Sequence, residues 1–227
     1  VLFNKSRNPE FNYLDFIYYG QALRDTKQIS LAVEQYKKAL EYDSTKVELW
    51  KDISDMYNEI GDYANAIDAY IKFINSLSDK DRNADVIIAL GKLYYSYGND
   101  PKTTPDVKKS ALLKADSIFA KIAEMEPDGY RGNFWRARAN SALDPETTLG
   151  LAKPFYESTA ALIESKNDPR FNSVLIECYS YLGYYTLVQK EYEKSLEYWN
   201  KILQIDPNNA TAKKAIDGIK PQKKNEK

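Results

Sequence analysis

The strongest constraint on this chain is a recurrence. Phe16, Tyr19, Gly20 and Leu23 are followed by Ala32, Tyr36 and Ala39. The same succession of large, small and aromatic positions returns as Trp50, Ile53, Ser54 and Tyr57, then Gly61, Tyr63, Ala66, Tyr70 and Phe73, and a third time begins as Ile87, Leu90, Gly91, Tyr94 and Gly98. The first two units start at residues 13 and 47, a step of 34. Within each unit the apolar residues are spaced by three, four and seven, which places them on one stripe of a helix. A unit of two such helices cannot bury its stripes alone, so neighbouring units must stack. Gly20, Gly91 and Gly183 fall in mid-helix, where glycine costs about 0.5–1 kcal/mol relative to alanine; that cost is offset where a second helix approaches closely. Ala32, Ala66 and Ala115 are small enough to sit on the facing helix. Gly61 and Gly98 lie past the first helix of their units, where a left-handed C-cap is expected.

The pattern resembles the tetratricopeptide repeat family, whose 34-residue unit is a pair of antiparallel helices. Glu59-Ile60-Gly61-Asp62-Tyr63-Ala64-Asn65-Ala66-Ile67 is similar to that family's turn between helices, and Leu203-Gln204-Ile205-Asp206-Pro207-Asn208-Asn209 to its repeat end. The resemblance covers roughly residues 13–219 and implies an all-α fold, a right-handed α-solenoid of antiparallel helix pairs. Units are expected near 13–46, 47–80, 84–129, 132–165 and 176–209, with a capping helix at 210–219. The third carries an insert at 99–110, in which Pro101 and Pro105 read as a loop; Thr104 then reads as the N-cap of a lengthened second helix, with Pro105 at its first position. In the fourth, Pro154 falls inside the second helical pattern, which predicts a late start or a kink. Residues 1–12, with apolar Val1-Leu2-Phe3 and then Asn8-Pro9, read as the remnant of a preceding repeat or a linker, so the chain is expected to be a piece of a longer array. Residues 220–227, polar and rich in lysine, read as a disordered tail.

Composition narrows the function. The 227 residues contain no histidine, which removes the commonest general base, the Ser/His and Cys/His nucleophile pairs and imidazole metal ligands together. Cys178 is the only cysteine, so neither a disulfide nor a cysteine-rich zinc site can form within the chain. There is no G-x-x-x-x-G-K-[ST] or G-x-G-x-x-G phosphate loop. Carboxylate pairs such as Asp52 with Asp55 are expected on solvated helix faces, which do not split their pKa values as catalysis requires. No catalytic, cofactor or metal site is therefore expected, and the chain is not expected to be an enzyme. Lysine plus arginine total 32 against 33 acidic residues, so a net charge of −1 gives no reason to expect nucleic acid. No stretch approaches the roughly 20 apolar residues that span a bilayer; a soluble protein of the cytoplasm or periplasm is expected.

The nineteen tyrosines divide. Those at 19, 36, 57, 63, 70, 94, 156, 179 and 192 fall at repeat positions that build the core, and the remaining ten need another reason. In the resembled family the concave groove is lined by the first helix of each unit. Carried over, that implies Tyr18, Gln21 and Arg24, then Lys51, Asp52 and Asp55, then Lys92 and Tyr95, Arg136 and Asn140, and Tyr181 and Tyr184. Tyrosine and arginine give large contact area for little entropy loss and dominate binding hot spots. The resemblance thus implies a scaffold or adaptor that binds a protein or peptide segment in its groove. An architectural subunit, packing against other domains or copies of itself, is the alternative, and glycan stacking on the groove tyrosines a lesser one. The family's two-carboxylate clamp for chaperone tails is not expected: its positions read Ile17, Gln21, Asp52, Asp85 and Ala89 in the first three units, and Ile88, Lys92, Ala137, Glu177 and Tyr181 in the last three.

Overall fold

The computed structural model describes residues 12–225, and among them there are eleven α-helices, one 3-10 turn and no strand. Residues 1–11, where a remnant of a preceding repeat is expected, lie outside the described residues. The chain divides between Asp100 and Pro101 into two compact units. The first holds α1 (Tyr13–Asp25), α2 (Ile29–Tyr42), α3 (Glu48–Glu59), α4 (Tyr63–Ser76) and α5 (Ala84–Asn99). The second holds α6 (Pro105–Met125), α7 (Arg131–Leu143), α8 (Lys153–Glu164), the turn Pro169–Phe171, α9 (Asn172–Val188), α10 (Tyr192–Ile205) and α11 (Ala210–Asn225).

Local chemistry sets the helix ends. Asn12 starts α1 with a capping box: its side chain accepts the Leu14 N–H at 2.8 Å, while the Asp15 carboxylate accepts the Asn12 N–H at 2.9 Å. Three turns between paired helices share one geometry. Lys27, Gly61 and Lys190 adopt φ of 62°, 74° and 62°. In each case the next residue donates its N–H to the carbonyl five residues back: Gln28 to Leu23 at 2.8 Å, Asp62 to Tyr57 at 2.9 Å and Glu191 to Thr186 at 2.8 Å. Gly98 behaves differently from its expectation. It lies inside α5 and is not a left-handed cap, because the helix runs on to Asn99. What ends it is Pro101, which forces Asp100 into extended backbone at φ −66° and ψ 125°.

In the first unit, α1 packs on α2 and α3 on α4. A Cβ at Gly20 would lie 2.7 Å from the Tyr36 ring and 3.3 Å from the Ala32 carbonyl, so the α1–α2 crossing depends on glycine there. The α3–α4 crossing uses Ser54 at the equivalent place, whose buried hydroxyl donates to the Ala66 carbonyl at 2.7 Å. Ile53 and Met56 are fully buried beneath these crossings, each contributing about 1.5–3 kcal/mol of burial.

The second unit repeats the device. Ser195 of α10 donates to the Gly183 carbonyl of α9 at 2.7 Å, and Trp199 stacks over that glycine. A tighter approach occurs between α6 and α7, where a Cβ on Gly132 would fall 2.4 Å from the backbone nitrogen of Ala123. α6 starts at Pro105 behind Thr104, and α8 starts late, at Lys153 with Pro154 in its first turn, both as the sequence indicates. Between α7 and α8 the loop is organised by Asp144, 3 % exposed, whose carboxylate accepts the N–H groups of Thr148, Leu149 and Gly150 at 3.2, 3.0 and 2.8 Å. α11 runs from Ala210 through Asn225, past the end of the capping helix expected at 210–219.

Candidate functional site

In the first unit the carried-over groove residues come from α1, α3 and α5. Tyr18 is 64 % exposed, and Gln21, Lys51, Asp55 and Lys92 are also exposed. Arg24 and Asp55 line one cleft of about 610 Å3 together with Asp25, Lys27, Asn58 and Glu59. Arg24 is held in place by Glu59, Nε to Oε2 at 3.1 Å, and Lys27 reaches the other oxygen of the same carboxylate at 3.1 Å. These two cations hold the Glu59 carboxyl below its ordinary range. Beside them Asp52 is half-buried, and burial, then the neighbouring charge of Asp55, pushes its carboxyl upward. Lys92 and Tyr95 lie on α5 outside this cleft, with Tyr95 half-buried.

In the second unit three of the four carried-over residues turn inward. Tyr181 is buried, 9 % exposed, its ring 4.7 Å from that of Tyr156 and parallel to that of Tyr185 at 6.4 Å. It belongs to the core and offers no ring face for a ligand or a sugar; the aromatic packing between α8 and α9 consumes it. Arg136 pairs with Asp116 of α6 at 2.9 Å and stacks its guanidinium 4.0 Å from the centre of Phe155. Asn140 donates to the same Asp116 carboxylate at 2.8 Å. Both are structural ties among α6, α7 and α8. Tyr184, at 46 % exposure, is the one of the four whose ring faces outward.

A second tie went unread in the sequence. Arg138 grips Glu177 of α9 with two hydrogen bonds, Nε to Oε1 at 2.7 Å and Nη2 to Oε2 at 2.5 Å, and Tyr156 donates its hydroxyl to Oε1 at 3.1 Å. Phe134 and Trp135 flank the guanidinium, their centroids 4.4 and 4.8 Å away. The partners are 39 residues apart in sequence, beyond the reach of any local spacing rule. Next to Glu177, Cys178 is fully buried, and burial pushes its thiol up to about 12.

A further cleft of about 400 Å3 opens between the end of α8, the Pro169–Phe171 turn and α10. Glu164 there accepts the Tyr179 hydroxyl and, at 2.8 Å, the Lys201 ammonium. Burial would raise its carboxyl, but those two hydrogen bonds outweigh burial and hold it low. Glu164 thus ties α9, through Tyr179, to α10, through Lys201. Among the described residues no cluster of three or more cysteine, aspartate or glutamate side chains is placed to hold a metal, and no helix is long and apolar enough to cross a membrane.

Helices packed in sequential pairs, crossing at small residues and joined by repeated left-handed turns, define a helical-repeat scaffold. The C-terminal part of a TPR repeat-containing protein from Cytophaga hutchinsonii is 32 % identical over 94 % of this chain and 77 % of that one, with a TM-score of 0.73. The chain belongs to the tetratricopeptide repeat family. The fold is shared by YrrB, a TPR protein with an unusual peptide-binding site, at 20 % identity over 90 % of this chain and 91 % of that one with a TM-score of 0.55. It is shared too by the MamA protein, at 18 % identity over 88 % and 94 % of the two chains with a TM-score of 0.59. No protein-family model matches the sequence.

Proposed function

We propose that the chain is a non-enzymatic scaffold that binds a protein or peptide segment on the first-helix face of its first unit, where Tyr18, Gln21, Arg24, Lys51 and Asp55 stand. The observation that carries this reading is the outward ring of Tyr18 on the helix that also supplies Arg24 to the cleft of about 610 Å3. A phenol held outward on a regular helix binds with little loss of conformational freedom, and Arg24, fixed by Glu59, is preorganised to receive a polar group. YrrB, which shares the fold, has a peptide-binding site, and that is in keeping with this reading. Tyr184 is a candidate contact on the second unit.

The test is capture of partners from native lysate by the wild-type chain and by a Tyr18→Ala, Asp55→Lys variant of matched melting temperature. A protein held by the wild type and lost by the variant supports the reading; equal retention by both refutes it. One observation favours an architectural role instead: Leu14 and Tyr18 lie one turn apart on α1, both exposed, with Tyr42 of α2 58 % exposed. Self-association in sedimentation, lost in the same variant, would select that reading.

A further inference from the structure

A different surface, lined by none of those residues, has the character of a docking site. In the second unit, the first half of α6, the end of α7 and the α7–α8 loop enclose a cleft of about 480 Å3. Its walls are Leu112, Leu113, Leu143, Leu149 and Leu151. Two of them remain largely in water, Leu113 at 51 % and Leu149 at 71 % exposure. Isolated exposed leucines need no explanation, but leucines converging on one cleft do.

The loop makes the case stronger. Leu149 is not exposed because the loop is slack. The buried Asp144 carboxylate takes the N–H groups of Thr148, Leu149 and Gly150, and Gln189, just past the end of α9, donates to the Thr148 carbonyl at 3.2 Å. Thr147 is held at φ 56° and Gly150 at φ 69°. A left-handed threonine costs about 1–2 kcal/mol, and such outliers persist only where the surroundings fix them and cluster where a surface has work to do. The loop therefore spends conformational energy and a buried carboxylate on holding a leucine outward.

We infer that this cleft docks an amphipathic helix of a partner protein whose apolar face is flanked by carboxylates. The helical form follows from the walls: α6 and α7 have their backbone groups committed to their own helices, so the cleft presents side chains alone. An extended segment would find no sheet edge to satisfy its backbone, whereas a helix satisfies its own. The acidic flank follows from charge. The charged side chains lining the cleft are Lys108 and Lys109, with no carboxylate among the lining residues.

The probe is a stapled helical peptide with leucines at i, i+3, i+4 and i+7 and glutamates flanking that face, titrated into the full chain by fluorescence anisotropy. A second peptide with the same leucines carries lysines at the flanks. The glutamate peptide should bind saturably and at least about tenfold more tightly than the lysine peptide, the gap narrowing as salt is added. Leu149→Asp, at a position 71 % exposed, and Lys108→Glu with Lys109→Glu should each weaken it by about tenfold or more at matched melting temperature. Tyr18→Ala should leave it unmoved. No saturation by the glutamate peptide, equal affinity for the two peptides, or equal binding by a Leu113→Asp, Leu149→Asp variant would overturn the inference. So would a wild-type dimer in sedimentation that Leu149→Asp dissociates, which would make a second copy the occupant.

Discussion

Replacing Gly132 by alanine should destabilise the second unit although it improves helix propensity. In isolation the change favours a helix by about 0.5–1 kcal/mol. The added methyl would lie 2.4, 2.7 and 2.8 Å from the N, Cα and Cβ of Ala123, where unstrained carbon contacts sit at about 3.5–4.0 Å. Two of those atoms are backbone, so no rotamer change relieves the clash and α6 must move away from α7. Overpacking of this kind costs about 1–3 kcal/mol or more, leaving a net loss of about 1–2 kcal/mol after the propensity gain. At roughly 2–4 °C per kcal/mol for a chain of this size, the melting transition should fall by several degrees. Calorimetry measures the shift, and Trp135 reports the junction itself, because its ring stacks on Phe119 of α6 with centroids 5.5 Å apart. Gly218→Ala is the control. Nothing lies within 4 Å of a Cβ there, and the substitution should stabilise by up to about 1 kcal/mol. A Gly132→Ala variant as stable as wild type, with unaltered tryptophan emission, would refute the close-crossing argument.

Three further outcomes are expected. Lys190→Gly should raise stability by a few tenths to about 1 kcal/mol in denaturant titration, since the left-handed conformation costs a side-chain-bearing residue about 1–2 kcal/mol and glycine's extra chain entropy returns only part of that. Asp52→Asn should stabilise the chain near neutral pH: the folded state raises this carboxyl, so ionisation opposes folding above the folded pKa, and the gain should vanish once pH falls below the ordinary aspartate range, where both states are protonated. Cys178, buried and pushed up to about 12, should not react with a disulfide reagent at mildly alkaline pH until the second unit unfolds, so its modification rate should track denaturant concentration.

Legibility in the sequence followed the range of the interactions. Helices and crossings were readable because their signals are local and repeated: Gly20 against Ala32, Ser54 against Ala66, and Gly183 with Ser195 all recur at fixed offsets. The turn at Gly61 was readable because glycine announces a left-handed residue; Lys27 and Lys190 take the same conformation without announcing it. Gly98 misled for the converse reason, since Pro101, three residues on, sets the end of α5. The groove was the least legible part. Helical register shows which side of a helix a residue occupies, but not whether a carboxylate from a distant helix will claim it. Arg136 and Asn140 were drawn to Asp116, 20 and 24 residues away, and Tyr181 was taken by Tyr156.

The two arginines of α7 have a consequence beyond holding three helices together. In a repeat protein every helix carries much the same apolar stripe, so a collapsing chain has many near-equivalent ways to pair its helices wrongly. Apolar contact alone cannot tell one neighbour from another. Arg136 fits a carboxylate on α6, and Arg138 fits one on α9, so α7 carries two labels that only its proper neighbours can answer. Swapping the partners, with Asp116→Arg matched to Arg136→Asp, should recover much of the refolding yield that either change alone loses, although it gives up the Asn140 hydrogen bond to Asp116 and the Arg136 contact with Phe155.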